Sequence, residues 1–239
     1  VRQAFHNFRE KAERAGRYNP ESDERFTEQW SRIIMHLPYA YQAKRMFPDV
    51  FRHDREDTEF WNDVAQHLGP APEPHNSDDP VIIEIWEKAM DGYRRAISKT
   101  PQYLEFHASR IEKGQRASSL IGNQYTGSIF LALMSSFESD LEENDNLDNH
   151  LFGLCGYGSG AKAKVFEGKV SPRWREVVSR WNLFERLAGR VAIDHITYEN
   201  LHKGLQNGSV VEPEGEFALV EITESGVQEG ARRYKWIGA

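Results

Sequence analysis

The chain has 239 residues, 39% of them hydrophobic, 28% charged and 12% aromatic, enough apolar material for a substantial core and too much for disorder to dominate. Its formal net charge of −7 supplies none of the overall basic field on which nucleic-acid binding leans. A single cysteine, Cys155, excludes an internal disulfide framework and fits a reducing compartment.

The longest apolar run, Ile129 to Met134, is far short of a membrane span, and Val1-Arg2-Gln3 starts no signal peptide. The expectation is a cytoplasmic protein with no membrane and no nucleic-acid partner. Val1, Ala4, Phe5, Phe8, Ala12 and Ala15 recur at helical spacing and predict an amphipathic helix closed by Gly16. Asn19-Pro20-Glu21-Ser22 reads as a turn. Phe26, Trp30 and Ile33 then predict a short helix passing into a buried strand over Arg32 to Met35.

Pro38 is placed at the first position of a second helix, with Tyr41, Met46 and Phe47 on its apolar side. On this reading His36 lies at the carboxyl end of a strand and faces a helix N-terminus, where open α/β sheets place their ligands. Phe60, Trp61, Val64 and Leu68 predict a helix over Asp54 to Leu68, followed by a proline-rich loop from Gly69 to Pro74. Asp79-Pro80 opens a long helix with Val81, Ile85, Trp86, Ala89, Tyr93 and Ile97 on one face. Thr100-Pro101 breaks it, and Tyr103 to Lys113 is ambiguous. Asp54 to Gln115 therefore reads as a helical block.

Asn123-Gln124-Tyr125-Thr126-Gly127-Ser128 opens an apolar helix whose stretch from Thr126 to Ser136 looks buried on every side. Leu151 to Cys155 predicts a buried strand running into Gly156-Tyr157-Gly158-Ser159-Gly160, and Lys162 to Val170 an antiparallel partner strand. Short helices over Trp174 to Trp181, Leu183 to Ala188 and Tyr198 to Gly204 follow. Phe217 to Ile222 and Arg232 to Trp236 close the chain as a pair of strands.

A helix start and a glycine-rich strand end can both face one pocket, the first with Asn and Tyr side chains and free N–H groups, the second with approachable backbone. His36 can exchange a proton or polarise a carbonyl. Lys44 and Arg45 can take a phosphate. Singly, each has a commoner explanation: a strand-capping histidine, a helix-capping Asn123, a hairpin turn at Gly156 to Gly160, a surface pair of cations. Cys155 sits in a buried strand and reads as an inert thiol. No P-loop, dinucleotide fingerprint or metal cluster is present in the sequence, so no metal and no bound cofactor are expected.

In order, His36-x-Pro38-Tyr39, the Gly122 to Ser128 motif with its apolar helix, the Gly156 to Gly160 loop and a terminal strand with Arg232-Arg233-Tyr234 resemble the C-terminal half of the hydroxymethylglutaryl-CoA synthase family. The resemblance covers essentially the whole chain, the middle helical block least. It implies an α/β, thiolase-like fold: residues 1–239 as the C-terminal half of a five-layer αβαβα architecture, with residues 54–115 an added helical region. It also implies a condensation of acetyl-CoA with acetoacetyl-CoA in the mevalonate pathway, with CoA thioesters as substrates.

Carried over by the resemblance, His36 binds and polarises the acetoacetyl group, Asn123, Tyr125, Ser159 and Gly158 bind substrate, and Lys44 and Arg45 bind CoA. The first of the family's two CoA-contacting lysine positions is Tyr41 here, and the second is Arg45. The family's nucleophilic Cys and basic Glu belong to its N-terminal half, and no stretch here matches either. Together with the abrupt helical start, this leads to the expectation of a hetero-oligomer in which the N-terminal half, a separate polypeptide or one released by cleavage, carries both. Two other readings share these motifs: a β-branching synthase half acting on carrier-protein-bound β-keto thioesters in polyketide synthesis, and a non-catalytic half that stabilises or regulates its partner.

Overall fold

The structure, a computed structural model, describes residues 1–158, 160, 162–206 and 208–238. The chain divides into two compact units, Val1–Leu187 and Ala188–Ala239. In the first, α1 (Arg2–Arg14) ends as the sequence predicts, with Gly16 in the left-handed region at φ 66°. A 3-10 turn over Phe26–Gln29 leads into β1 (Trp30–Met35). Trp30, Ile33, Ile34 and Met35 are all buried, the near-continuous apolar run of a strand covered on both faces.

Helix α2 spans Gln42–His53, so Pro38 does not open it. Residues 38–41 form a turn instead, in which the Gln42 N–H donates to the Tyr39 carbonyl at 2.9 Å. The proline of this helix is Pro48, in its interior, where it leaves the carbonyl four residues back without a donor. That carbonyl belongs to Lys44, and the hydroxyl of buried Tyr103 donates to it at 3.0 Å. The expected helix over Asp54 to Leu68 is shorter, α3 (Glu59–Ala65). Asp54 turns inward to accept from the Thr27 N–H and hydroxyl at 2.9 and 2.6 Å, and Thr58 caps the new start by accepting from the Trp61 N–H.

Three helices follow: α4 (Pro80–Ile97) capped by Asp79, α5 (Pro101–Arg110) capped by Thr100, and α6 (Glu112–Ile121). They resolve the ambiguous stretch as helical. The apolar face expected along all of α4 is buried only at its C-terminal half, through Met90, Tyr93 and Ile97, while Val81 and Ile85 are exposed. Helix α4 packs on α2 and α5 on β1.

A 3-10 turn at Tyr125–Gly127 then leads into α7 (Ser128–Glu142). One side of α7 meets α6 closely because Ala132, Ser135 and Ser136 are small and buried. Ser135 Oγ stitches the pair, accepting from the Ala117 N–H at 3.1 Å and donating to the Lys113 carbonyl at 2.6 Å. The helix is not buried on every side, however. Phe130 is 62% exposed, because none of the described residues covers that face.

Strands β2 (Leu151–Gly158) and β3 (Lys162–Lys169) complete a sheet of order β1-β2-β3. β2 and β3 are antiparallel, as expected, in a register that pairs Cys155 with Val165. β1 and β2 are parallel, with Met35 opposite Cys155. The Trp30 ring lies over Gly153, where an added Cβ would come within 2.2 Å of it; only glycine fits. Helices α8 (Trp174–Val178) and α9 (Leu183–Ala188) follow, the Glu138 carboxylate accepting from the Leu183 and Phe184 N–H groups at the start of α9.

The second unit contains α10 (His195–His202), capped by Asp194, and the antiparallel strands β4 (Glu216–Ile222) and β5 (Arg232–Ile237). The closing strands therefore pair with each other, as a two-stranded sheet of their own.

Candidate active site

Parallel pairing puts the carboxyl ends of β1 and β2 at the same edge of the sheet. His36 follows β1 directly, and its N–H donates to the Cys155 carbonyl at 2.9 Å. Its imidazole meets the Tyr157 ring edge-on, with centroids 5.3 Å apart. The helix N-terminus that His36 faces is that of α7, not α2: Ser128 Oγ lies 2.5 Å from His36 Nδ1 and accepts from the Leu37 N–H at 3.0 Å.

A buried ionic cluster holds α7 in this place. Arg32 of β1 and Lys113 of α6 both pair with Asp140, which is fully buried near the far end of α7, and Lys113 Nζ reaches it at 2.7 Å. Asp145 joins both cations, at 2.9 Å from Arg32 and 2.7 Å from Lys113. From Ser128 to Asp140 the helix spans roughly 18 Å. The cluster therefore pins one end of α7 to the start of β1 while Ser128 meets its end.

The electrostatics are those of a neutral site. Burial pulls the His36 pKa below its ordinary 6.5, so the ring is an uncharged donor or acceptor at neutral pH. Burial pushes the Cys155 thiol up to about 12, and its side chain is 0% exposed; it stays a protonated thiol, as the sequence suggests. Tyr157 is also shifted upward by burial, and its hydroxyl is buried without a hydrogen-bond partner among the described residues. A Ser and a His in contact form the geometry of an activated nucleophile, but Ser128 is 0% exposed and already accepts from Leu37. It cannot reach a substrate.

The other site residues fall in three groups. Asn123 and Tyr125 stand just before Ser128, yet Asn123 is not the cap of α7: its Oδ1 accepts from the Tyr125 N–H at 2.7 Å in a local turn, leaving its NH₂ as the group it can offer. Tyr125 is 79% exposed with φ 48°, a conformation that a bulky residue adopts only under constraint and that clusters at functional sites.

Gly158 ends β2 opposite Lys162. An added Cβ at Gly156, Gly158 or Gly160 would meet nothing within 4 Å, so open space, not close packing, borders this loop. Ser159 lies outside the described residues. Lys44 and Arg45 sit on α2; Arg45 lines a cavity of about 660 Å³ together with Gln42, Trp86, Arg94 and Arg95, while the Lys44 backbone serves Tyr103. Tyr41 is exposed, its ring against Tyr39.

The structure thus joins His36 to Ser128 and Tyr157, two residues of the sequence motifs to which sequence reasoning gave no role. The sequence places Ser128 at the first turn of an apolar helix, but nothing local links it to His36. Among the described residues, no group of His, Cys, Asp and Glu is arranged to hold a metal ion, and no helix is long and apolar enough to cross a membrane.

Residues 1–209 match the family model described as hydroxymethylglutaryl-coenzyme A synthase C terminal. The match stops short of the Arg232-Arg233-Tyr234 strand. Hydroxymethylglutaryl-CoA synthase of Haloferax volcanii is 27% identical over 193 residues, covering 78% of this chain and 43% of its own. The enzyme of Saccharomyces cerevisiae is 26% identical over 125 residues, covering 51% of this chain and 24% of its own.

Among solved structures, MvaS in complex with 3-hydroxy-3-methylglutaryl coenzyme A superposes with a TM-score of 0.67 at 26% identity, covering 98% of this chain and 47% of that one. PksG of Bacillus subtilis superposes at 0.57 with 16% identity, over 96% of this chain and 48% of its own, a likeness of fold. The architecture is accordingly the thiolase-like α/β fold, and the chain spans less than half the length of these relatives. Residues 1–209 belong, by this match, to the C-terminal part of the hydroxymethylglutaryl-CoA synthase family, and the chain is one of its members.

Proposed function

We propose that the chain supplies the acetoacetyl-binding half of a hydroxymethylglutaryl-CoA synthase site, an acyltransferase that condenses acetyl-CoA with acetoacetyl-CoA in the mevalonate pathway. The observation that carries this reading is the neutral His36 held by Ser128 at the joint carboxyl edge of β1 and β2. A neutral imidazole N–H can polarise the ketone of an acetoacetyl thioester as the attacking carbon adds to it. Asn123 and Tyr125, and Gly158 and Ser159 of the adjoining loop, would line the acyl group, and Lys44 and Arg45 would meet CoA. The nucleophilic Cys and basic Glu would come from the family's N-terminal half; Cys155, buried and protonated, cannot be that nucleophile. On α7 the Phe130 ring stands exposed, where a covering half would meet it.

The test is reconstitution. The chain is expressed with and without an N-terminal half carrying that Cys and Glu, and loss of acetoacetyl-CoA is followed. The reading expects turnover from the pair only; turnover by this chain alone, or none from the pair, overturns it. Tyr41, which replaces a CoA-contacting cation, favours a second reading, a β-branching synthase half that takes carrier-protein thioesters. Comparing CoA-bound and carrier-bound acceptors in the same assay separates the two.

A further inference from the structure

We propose that Ser128 is a positioning residue which fixes the His36 imidazole in its Nε2–H tautomer, so that a neutral N–H is what the ring presents to a ligand. The argument is a count of hydrogens. The Leu37 backbone N–H can only donate, and at 3.0 Å it occupies one lone pair of Ser128 Oγ. The hydroxyl has a single hydrogen, which needs an acceptor because Ser128 is 0% exposed. His36 Nδ1, at 2.5 Å, is the acceptor within reach.

Were Nδ1 protonated instead, Ser128 Oγ would face two donors and its own hydrogen would be buried without a partner, the costlier arrangement. Nδ1 therefore accepts and the ring hydrogen sits on Nε2. The Tyr157 ring packs edge-on against the imidazole, with centroids 5.3 Å apart. Desolvation, which lowers the His36 pKa, keeps the ring neutral and so leaves the choice of tautomer to Ser128.

This deepens the reading of His36 as the acetoacetyl-polarising group and rests on it for its consequence, but the tautomer itself is read without substrate. The chain is labelled with ¹⁵N-histidine, and long-range ¹H–¹⁵N correlations are recorded near neutral pH, His36 being identified among the nine histidines by its loss in His36→Gln. The wild type is expected to show a protonated Nε2 and an acceptor-type Nδ1. Ser128→Ala is expected to shift His36 toward a mixture or the opposite tautomer, and Ser128→Thr, which keeps the hydroxyl, to restore it. In the reconstituted pair Ser128→Ala lowers kcat by about 10- to 100-fold with KM little changed, a part of the roughly 10²–10⁴ that an acid–base group supplies.

A protonated Nδ1 in the wild type overturns the proposal even if Ser128→Ala fails to fold, and so does an unchanged tautomer in a folded Ser128→Ala. The expected tautomer shift without a change in kcat leaves the positioning intact and contradicts the catalytic reading of His36.

Discussion

His36 owes its chemistry to burial: no charged neighbour moves its pKa, and desolvation alone pulls it down. His107, buried beside Gln115 at 2.6 Å, is shifted the same way, with desolvation the largest cause. For both, the folded pKa lies below the unfolded value of about 6.5. Between the two values the unfolded chain binds more protons, so the stability these groups contribute is complete above about pH 6.5 and is lost as pH falls through the folded pKa. Urea denaturation midpoints are therefore expected to drop between about pH 7 and pH 5.5, and the drop should shrink in His107→Gln. A midpoint that is flat or rises across that window contradicts the assignment.

His36 was legible in the sequence because a histidine at a strand end, two residues before a proline, is a local pattern. Its partner Ser128 was not, since 92 residues separate them and no local spacing announces the contact.

At the scale of elements, the site depends on where α7 lies against β1, and Asp140 sets that. Fully buried, it accepts from Arg32 and Lys113. Asp140→Ala leaves two cations with side chains only 12% and 15% exposed short of a counter-charge. Breaking a buried pair of this kind costs about 3–5 kcal/mol, here moderated by Asp145 and by Glu143, which also pairs with Lys113 at 2.8 Å. Chemical denaturation checks it; a loss under about 1 kcal/mol shows that the cluster does not anchor the helix.

The strands and most helices were legible from period and caps: Asp79-Pro80, Thr100-Pro101 and Gly16 all act as the sequence suggests. The start of α2 was misread because proline at a helix's first position is a frequent rule, whereas Pro48 in the interior depends on Tyr103, a contact across 59 residues. The requirement for glycine at Gly153 was equally hidden, since it is set by the Trp30 ring on the neighbouring strand.

For the whole molecule, composition gave a globular chain, and the ordered motifs gave the family and with it the α/β fold. The division at Leu187 has no composition signal to mark it. An all-apolar helix reads as buried on every side, and sequence pattern does not say which chain covers it. Phe130 stands out on α7, and the account requires that an N-terminal half cover it and bring a Cys and a Glu toward His36.

The central claim, that this chain contributes a working half of the site, is tested most directly by acetoacetyl-CoA consumption in the reconstituted pair carrying His36→Ala. The account predicts a fall in kcat of about 10²–10⁴ with the complex still assembled. Activity equal to the unsubstituted pair would show that the chain serves its partner as a non-catalytic half.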